Sequence, residues 1–223
     1  MSLCWVYLIK TCGTKKARCV CNGSPRFRGT VTLAETYASA LDQVGHRIFW
    51  AAVSINNYIV LGSDASNAFA EAPPPKAPLY VRIDDNYKRW YKHKFPSRPP
   101  LPDDYVLRVK KALQGHPESP RLWATLIDTL LKKLNLQQCT HEPNLYFTDN
   151  YKNTGKRVLF LRQVDDFAIA CQDTSLANQV IEDINSKMKI EIKHLDHIER
   201  FNGVDIDQRK EYIKLHNRTY IEK

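Results

Sequence analysis

The sequence has no apolar run long enough to cross a membrane as a helix. Its longest apolar stretch, Ile48 to Val60, is broken by Ser54, Asn56 and Asn57, well short of roughly 18 consecutive apolar residues. The opening residues Met1–Lys10 lack the charged leader and cleavage site of a signal peptide. No internal repeat or low-complexity tract is present. Cysteine is sparse, six in 223 residues, which fits a reduced intracellular chain better than a disulfide scaffold. Cys12, Cys19 and Cys21 cluster near the N-terminus, but the C-x-C spacing has no second Cys or His half-site. Zinc is therefore not expected, and these thiols are read as buried or idle.

The chain is long enough to bury a substantial core, and 43% hydrophobic residues suit a globular protein. Lys and Arg outnumber Asp and Glu by 33 to 24, a net charge of +9. That excess suits a polyanionic partner, because each cation that neutralises a phosphate releases counterions.

Local patterns give a mixed order of elements. Trp5–Lys10 and Lys16–Cys21 read as strands joined by a turn at 11–15. Thr32 is placed to cap a helix from Leu33, and a second helix over Val44–Asn57 carries Ile48, Ala51, Ala52 and Ile55 on one face. Tyr58–Ser63 is a short strand, and Asn67–Glu71 one helical turn. Prolines at 73, 74, 75 and 78 stop regular structure before strands at Leu79–Ile83 and Tyr105–Val109. Asp84–Asp85 leads into what reads as a basic, aromatic loop, and Asp103–Asp104 follows a proline-rich one. Ser119 is expected to cap a helix with Pro120 at its first position and Leu122, Leu126, Leu130 and Leu134 along it. Strands are expected at Leu145–Phe147, Lys189–Lys193 and Arg200–Asp207, and a helix at Leu176–Lys187. Strands and helices do not alternate strictly, so the fold class is α+β.

Two apolar strands, Arg157–Val164 and Phe167–Cys171, are separated only by Asp165 and Asp166. Adjacent carboxylates at a hairpin tip repel one another. A divalent cation relieves that repulsion, and magnesium takes one or two carboxylates together with substrate phosphates. Asp64, where a strand meets a helical turn, is the candidate third acid. The other Asp-Asp pairs lie in turns, where solvated side chains are the ordinary outcome.

In order along the chain, WVYLIK with KARCVCNG, SDASNAFAEA, KALQGHPESPRLWATLID, HEPNLYF, FLRQVDDFAIAC and IKHLDHIERFNGVDI resemble the motifs of the reverse transcriptase domain of Ty1/copia-type retrotransposons. The resemblance spans nearly the whole chain. It implies a polymerase palm with a fingers subdomain, an antiparallel sheet with helices packed on one face, and the thumb missing. Fingers would occupy about 1–57 and 72–112, and palm about 58–71 and 113–207, with 208–223 beginning the next segment. It implies two-metal nucleotidyl transfer with two Mg2+ (or Mn2+) ions on Asp64, Asp165 and Asp166. The partners implied are an RNA or DNA template with its primer, deoxynucleoside triphosphates and further Pol polyprotein segments, with no membrane. The place implied is the cytoplasm, within a virus-like particle, or the nucleus.

The resemblance also assigns supporting roles. Phe69, five residues after Asp64, would be the steric gate beneath the sugar. Lys16 and Arg18, on one strand face by period two, would hold the triphosphate. Gln114 would contact the nucleotide, and Phe201 and Gly203 would form the primer-grip turn. For each there is a plainer reading: core phenylalanine, solvated basic edge, surface amide, hairpin glycine. The chain departs from the family pattern at Gln163 (usually Tyr), across Pro73–Pro78 (usually N-G-x-L), at Asn202 (usually apolar) and at Cys171 (usually Gly). These departures leave two alternatives, a fragment of an active polymerase or an inactive remnant that still binds nucleic acid. An unrelated basic α+β protein would instead hold Asp64 far from Asp165.

Overall fold

The computed structural model describes residues 1–9, 13–23, 32–65, 67–188, 192–195 and 197–222. In chain order the elements begin with strands β1 (Leu3–Ile9) and β2 (Lys15–Cys21), then helices α1 (Leu33–Thr36) and α2 (Gln43–Ile55). Next come β3 (Ile59–Asp64), β4 (Tyr80–Arg82), α3 (Asp85–Lys94), β5 (Val106–Arg108) and α4 (Ser119–Lys133). They continue with β6 (Gln137–Gln138), β7 (Leu145–Thr148), β8 (Val158–Gln163), β9 (Asp166–Cys171) and α5 (Thr174–Asn185). The last are β10 (Lys193–Leu195), β11 (Arg200–Phe201), β12 (Val204–Gln208), β13 (Ile213–His216) and α6 (Arg218–Ile221). Antiparallel sheets mixed with helices give the α+β class read from the sequence.

The chain divides into two compact units, one of residues 1–37 and 69–123, the other of 38–68 and 124–223. In the first, β1 and β2 pair antiparallel from Leu3↔Cys21 to Ile9↔Lys15. Cys12 and the middle of that hairpin's connection lie outside the described residues. β4 and β5 form a second two-stranded ladder. The segment after Asp84 is helix α3 and not the expected loop. Asp84 caps it, accepting from Tyr87 N at 2.8 Å, while Asp85 in the first turn and Lys92, His93 and Lys94 in the last complement the helix dipole. Periodicity hid this helix because it buries no residue. Asp103 is not a free turn residue either; it pairs with Lys88 at 2.6 Å.

The second unit is built on a six-stranded antiparallel sheet in the order β10-β3-β9-β8-β7-β6. β9 lies inside it, and Phe167 through Cys171 are all buried, so the strand is a continuous apolar run without alternation. Register puts Val60, Leu161, Ala168 and Ala170 on one face. There they pack with Phe49, Trp50 and Val53 of α2 and with Phe201 and Ile206. On the other face α4 docks through Arg162, whose Nη1 donates to Ala124 O at 3.0 Å, and Tyr146, whose hydroxyl donates to Asp128 at 3.0 Å. Helices therefore cover both faces, correcting the expectation of one. Central strands buried on two sides require this cover.

Two helix faces also differ from expectation. α2 buries His46, Phe49, Trp50 and Val53, whereas Ile48 is 55% and Ile55 80% exposed. The aromatic stripe carries more apolar area than the aliphatic one and takes the core. α4 buries Trp123, Ile127, Leu130 and Leu131, with Leu122, Leu126 and Leu134 at the flank. The Ser119 hydroxyl donates to Leu113 O at 2.7 Å, and the first helical carbonyl acceptor is Glu118, from Leu122 N at 3.0 Å. The strand expected at Lys189–Lys193 falls largely outside the described residues, and β10 pairs with β3 instead.

Candidate active site

The three acidic residues lie at one end of the central sheet. β3 and β9 are antiparallel neighbours, and their register ends with Asp64 opposite Asp166. Such opposed Cα atoms lie about 4.5–5.5 Å apart. Asp165 is held beside them by its own backbone, whose carbonyl accepts from Ala65 N at 2.8 Å. Gln163 pairs with Asp166 across the β8–β9 hairpin, so the tip is Val164–Asp165 and Asp166 begins the strand. The sequence placed both acids in the turn. Register sets Gln163, Asp166 and Asp64 on the same sheet face as α2.

This tip is strained. Val164 has φ of +56°, a region that β-branched side chains avoid. A two-residue hairpin loop demands positive φ at its first position, where glycine is the usual occupant. Strain of this kind persists only where the flanking strands over-determine it. Here β8 and β9 form six residue pairs.

Solvent still reaches the Asp166 side chain, yet the surrounding sheet removes part of its hydration. That desolvation, then the charges of Asp165 and Asp64, push the Asp166 carboxyl up to about 6. Among the described residues no three His, Cys, Asp or Glu side chains converge into a ready-made metal cluster. The acids share one electrostatic field, and their oxygens are the donors a hard divalent cation takes. Beside Asp64, the Ser63 hydroxyl is buried without a hydrogen-bond partner.

The remaining candidates fall as follows. Phe201 and Gly203 belong to the second unit. Phe201 pairs with Val204, leaving Asn202 (φ +49°) and Gly203 (φ +79°) as a two-residue turn. This is the Asn-Gly hairpin that positive φ at both positions selects. The Phe201 ring is buried, so only the backbone and Asn202 of this turn face outward.

Lys16, Arg18, Phe69 and Gln114 belong to the first unit. Lys16 is half-buried and Arg18 exposed on one face of β2, opposite Leu8 and Val6. Phe69 is half-buried in a single 3-10 turn, Ala68–Ala70. Gln114 accepts through its backbone from Cys21 N at 2.8 Å. Gly115 follows with φ of +90°, and a Cβ there would collide with the Cys21 carbonyl. A cavity of about 590 Å³ opens at the Ile59 end of β3, lined by Tyr58, Arg209 and Tyr212 among others. It lies at the far end of the strand from Asp64 and belongs to no part of the acidic site.

Sequence reasoning missed one group of residues in the second unit. Glu142 and Asn144 are buried inside HEPNLYF, next to buried Arg162. Glu142 accepts from Asn144 N at 2.8 Å and from Asp42 N at 3.1 Å, and Arg162 Nη2 donates to Asn144 at 2.9 Å. The signal was a polar pair flanking proline within an apolar segment, legible only once its partners were placed.

A family model described as reverse transcriptase (RNA-dependent DNA polymerase) matches residues 1–223. Two Arabidopsis thaliana proteins, the retrovirus-related Pol polyproteins from transposons RE1 and RE2, are each 23% identical over 211 residues. The alignments cover 92% of this chain and 13% of each relative, so the chain spans a small part of their length. Among the described residues no helix is long and apolar enough to cross a membrane.

Proposed function

The chain belongs to the reverse transcriptase (RNA-dependent DNA polymerase) family, and from that premise we propose that it is the polymerase segment of a Ty1/copia-type Pol polyprotein. It extends a primer on an RNA or DNA template with deoxynucleoside triphosphates. The observation that carries this reading is the register of Asp64 against Asp166, with Asp165 at the adjoining tip. On this reading about 1–57 and 72–112 act as the fingers and about 58–71 and 113–207 as the palm.

Asp64 and Asp165 are the residues that would hold two magnesium ions, with Asp166 completing the acidic cluster. The donor set supports this: three carboxylates at one sheet end and no soft ligand among them. When bound, the ions supply Lewis-acid activation of the primer 3′-hydroxyl and charge neutralisation at the triphosphate. The protein's part is positional. β3 and β9 fix two acids across one ladder, and the Ala65–Asp165 backbone bond fixes the third. The Asn202–Gly203 turn presents backbone to the primer. Lys16 and Arg18 receive the triphosphate, Phe69 excludes a ribose 2′-hydroxyl, and Gln114 borders the incoming nucleotide.

Primer extension with Mg2+, comparing the native chain with Asp165→Asn, tests the reading. Loss of extension by a factor of 10³ or more in the variant supports it, and equal extension by both overturns it. If neither extends but a salt-sensitive primer-template complex forms, the chain is a nucleic-acid-binding remnant.

A further inference from the structure

We propose that α2 is a strut that fixes the spacing between the acidic hairpin and the Asn202–Gly203 turn, with Gln163 and His46 as its two positioning contacts. The proposal rests on reading those two hairpins as parts of one polymerase site.

The first contact lies just before the helix. The Leu41 N–H donates to Gln163 Oε1 at 3.0 Å, and the next N–H, of Asp42, donates to Glu142 Oε2 at 3.1 Å. Two successive backbone donors are thus taken by side chains, one from the end of β8 and one from the loop between β6 and β7. Asp42 then caps α2, accepting from Gly45 N at 2.5 Å. Gly45 presses on Glu142: a Cβ there would come within 2.7 Å of the Glu142 carboxylate and Cγ. Glu142 is itself pinned by Asn144, and Asn144 by buried Arg162. The start of α2 therefore cannot move without breaking bonds to β8.

Gln163 is the cross-strand partner of Asp166 and directly precedes the Val164–Asp165 tip. Its side chain points to the α2 face, and its amide oxygen supplies the acceptor that Leu41 uses. Here Gln163, where the resembling family carries Tyr, gains a function of its own.

The second contact is one helical turn on. His46 is buried and stacks on Phe201, with ring centroids 6.0 Å apart and planes at 14°. Its Nε2 accepts from Trp50 Nε1 at 3.0 Å, which fixes the ring's orientation. Phe201 flanks the Asn202–Gly203 turn, so the stack sets where that turn sits. From Asp42 to His46 is about 6 Å of helix, too short to flex. The path from Asp166 to the turn runs through Gln163, Leu41, His46 and Phe201, with one helical turn between the two contacts.

Hydrogen exchange tests the coupling without any need for turnover. In Q163M, which keeps side-chain length and removes the acceptor, exchange should rise about fivefold, the factor a single lost hydrogen bond gives. The rise should appear both at 38–46 and at 199–206. In H46A it should appear at 199–206 and at 160–167. Q163E, which retains an acceptor, should restore the native pattern at 38–46. If Q163M fails to fold, Q163S removes the same contact by truncation. Changes confined to each variant's own segment would overturn the strut. Coupled exchange in a native chain that extends no primer would sink the polymerase reading and leave the strut standing.

Discussion

Asp64 and Asp166 stand directly opposite each other on adjacent antiparallel strands, β3 and β9, at the last pair of their shared ladder. Like charges in that relation destabilise a sheet, and two strands that could have carried Thr or Val there carry acids. A fold that keeps such a pair uses it for something other than stability.

Asp166→Asn in EDTA should therefore raise stability near pH 7. The Asp166 carboxyl is pushed up to about 6 by burial, Asp165 and Asp64. A raised carboxylate pKa means that the folded state binds the proton more tightly than the unfolded chain. The cost of the charge is full above about 6 and is relieved as pH falls toward about 4, near the unfolded value. After allowance for solvent screening the gain is about 1 kcal/mol, or roughly 2–4 °C in melting temperature. Thermal melts should show it at pH 7.5 and not at pH 4. An equal shift at both would assign the effect to packing.

Val164→Gly should stabilise the β8–β9 hairpin. Val164 sits at φ +56°, where a Cβ costs about 1–2 kcal/mol, while glycine adds unfolded-state entropy of somewhat less than 1 kcal/mol. A net gain of up to about 1 kcal/mol is expected, read as a higher urea midpoint at unchanged slope. A lower midpoint would mean that the valine side chain contributes more than its backbone strain costs.

Gly115→Ala should be severe. At φ +90° a side chain is strained whatever the space, and its Cβ would meet the carbonyl of Cys21, a residue whose N–H donates to Gln114 O at 2.8 Å. The added carbon meets backbone, which cannot rotate away. About 3 kcal/mol or more should be lost. Proteolysis of the first unit at elevated temperature should report it before the second unit yields.

Acid should weaken the packing of α2 through His46. Burial first, then Arg47, hold its pKa below the usual histidine range. Because the folded value is depressed, the unfolded chain takes up the proton first, so stability is lost as pH falls below about 6.5. Protonation would also remove the acceptor for Trp50 Nε1. His46→Phe keeps a ring against Phe201 without a titrating group. Its urea midpoint should fall less than the native protein's between pH 7.5 and 5. Parallel pH profiles would place the acid sensitivity elsewhere.

The sequence by itself determined the elements that depend on neighbours in the chain. The apolar strands around Asp165 and Asp166 and the strand ending at Asp64 are local patterns, because period and charge act within a few residues, whereas the single strand expected at Arg200–Asp207 is split by the Asn202–Gly203 turn. The order of motifs along the chain carried the family for the same reason. Tertiary structure alone decided which acids face each other, since a register of Asp64 with Asp166 joins positions a hundred residues apart. It chose the aromatic stripe of α2 over the aliphatic one, because burial is a competition between faces for one core. It also gave Gln163, Glu142 and His46 their roles, since a buried polar group is defined by the partner that satisfies it, and those partners lie far along the chain.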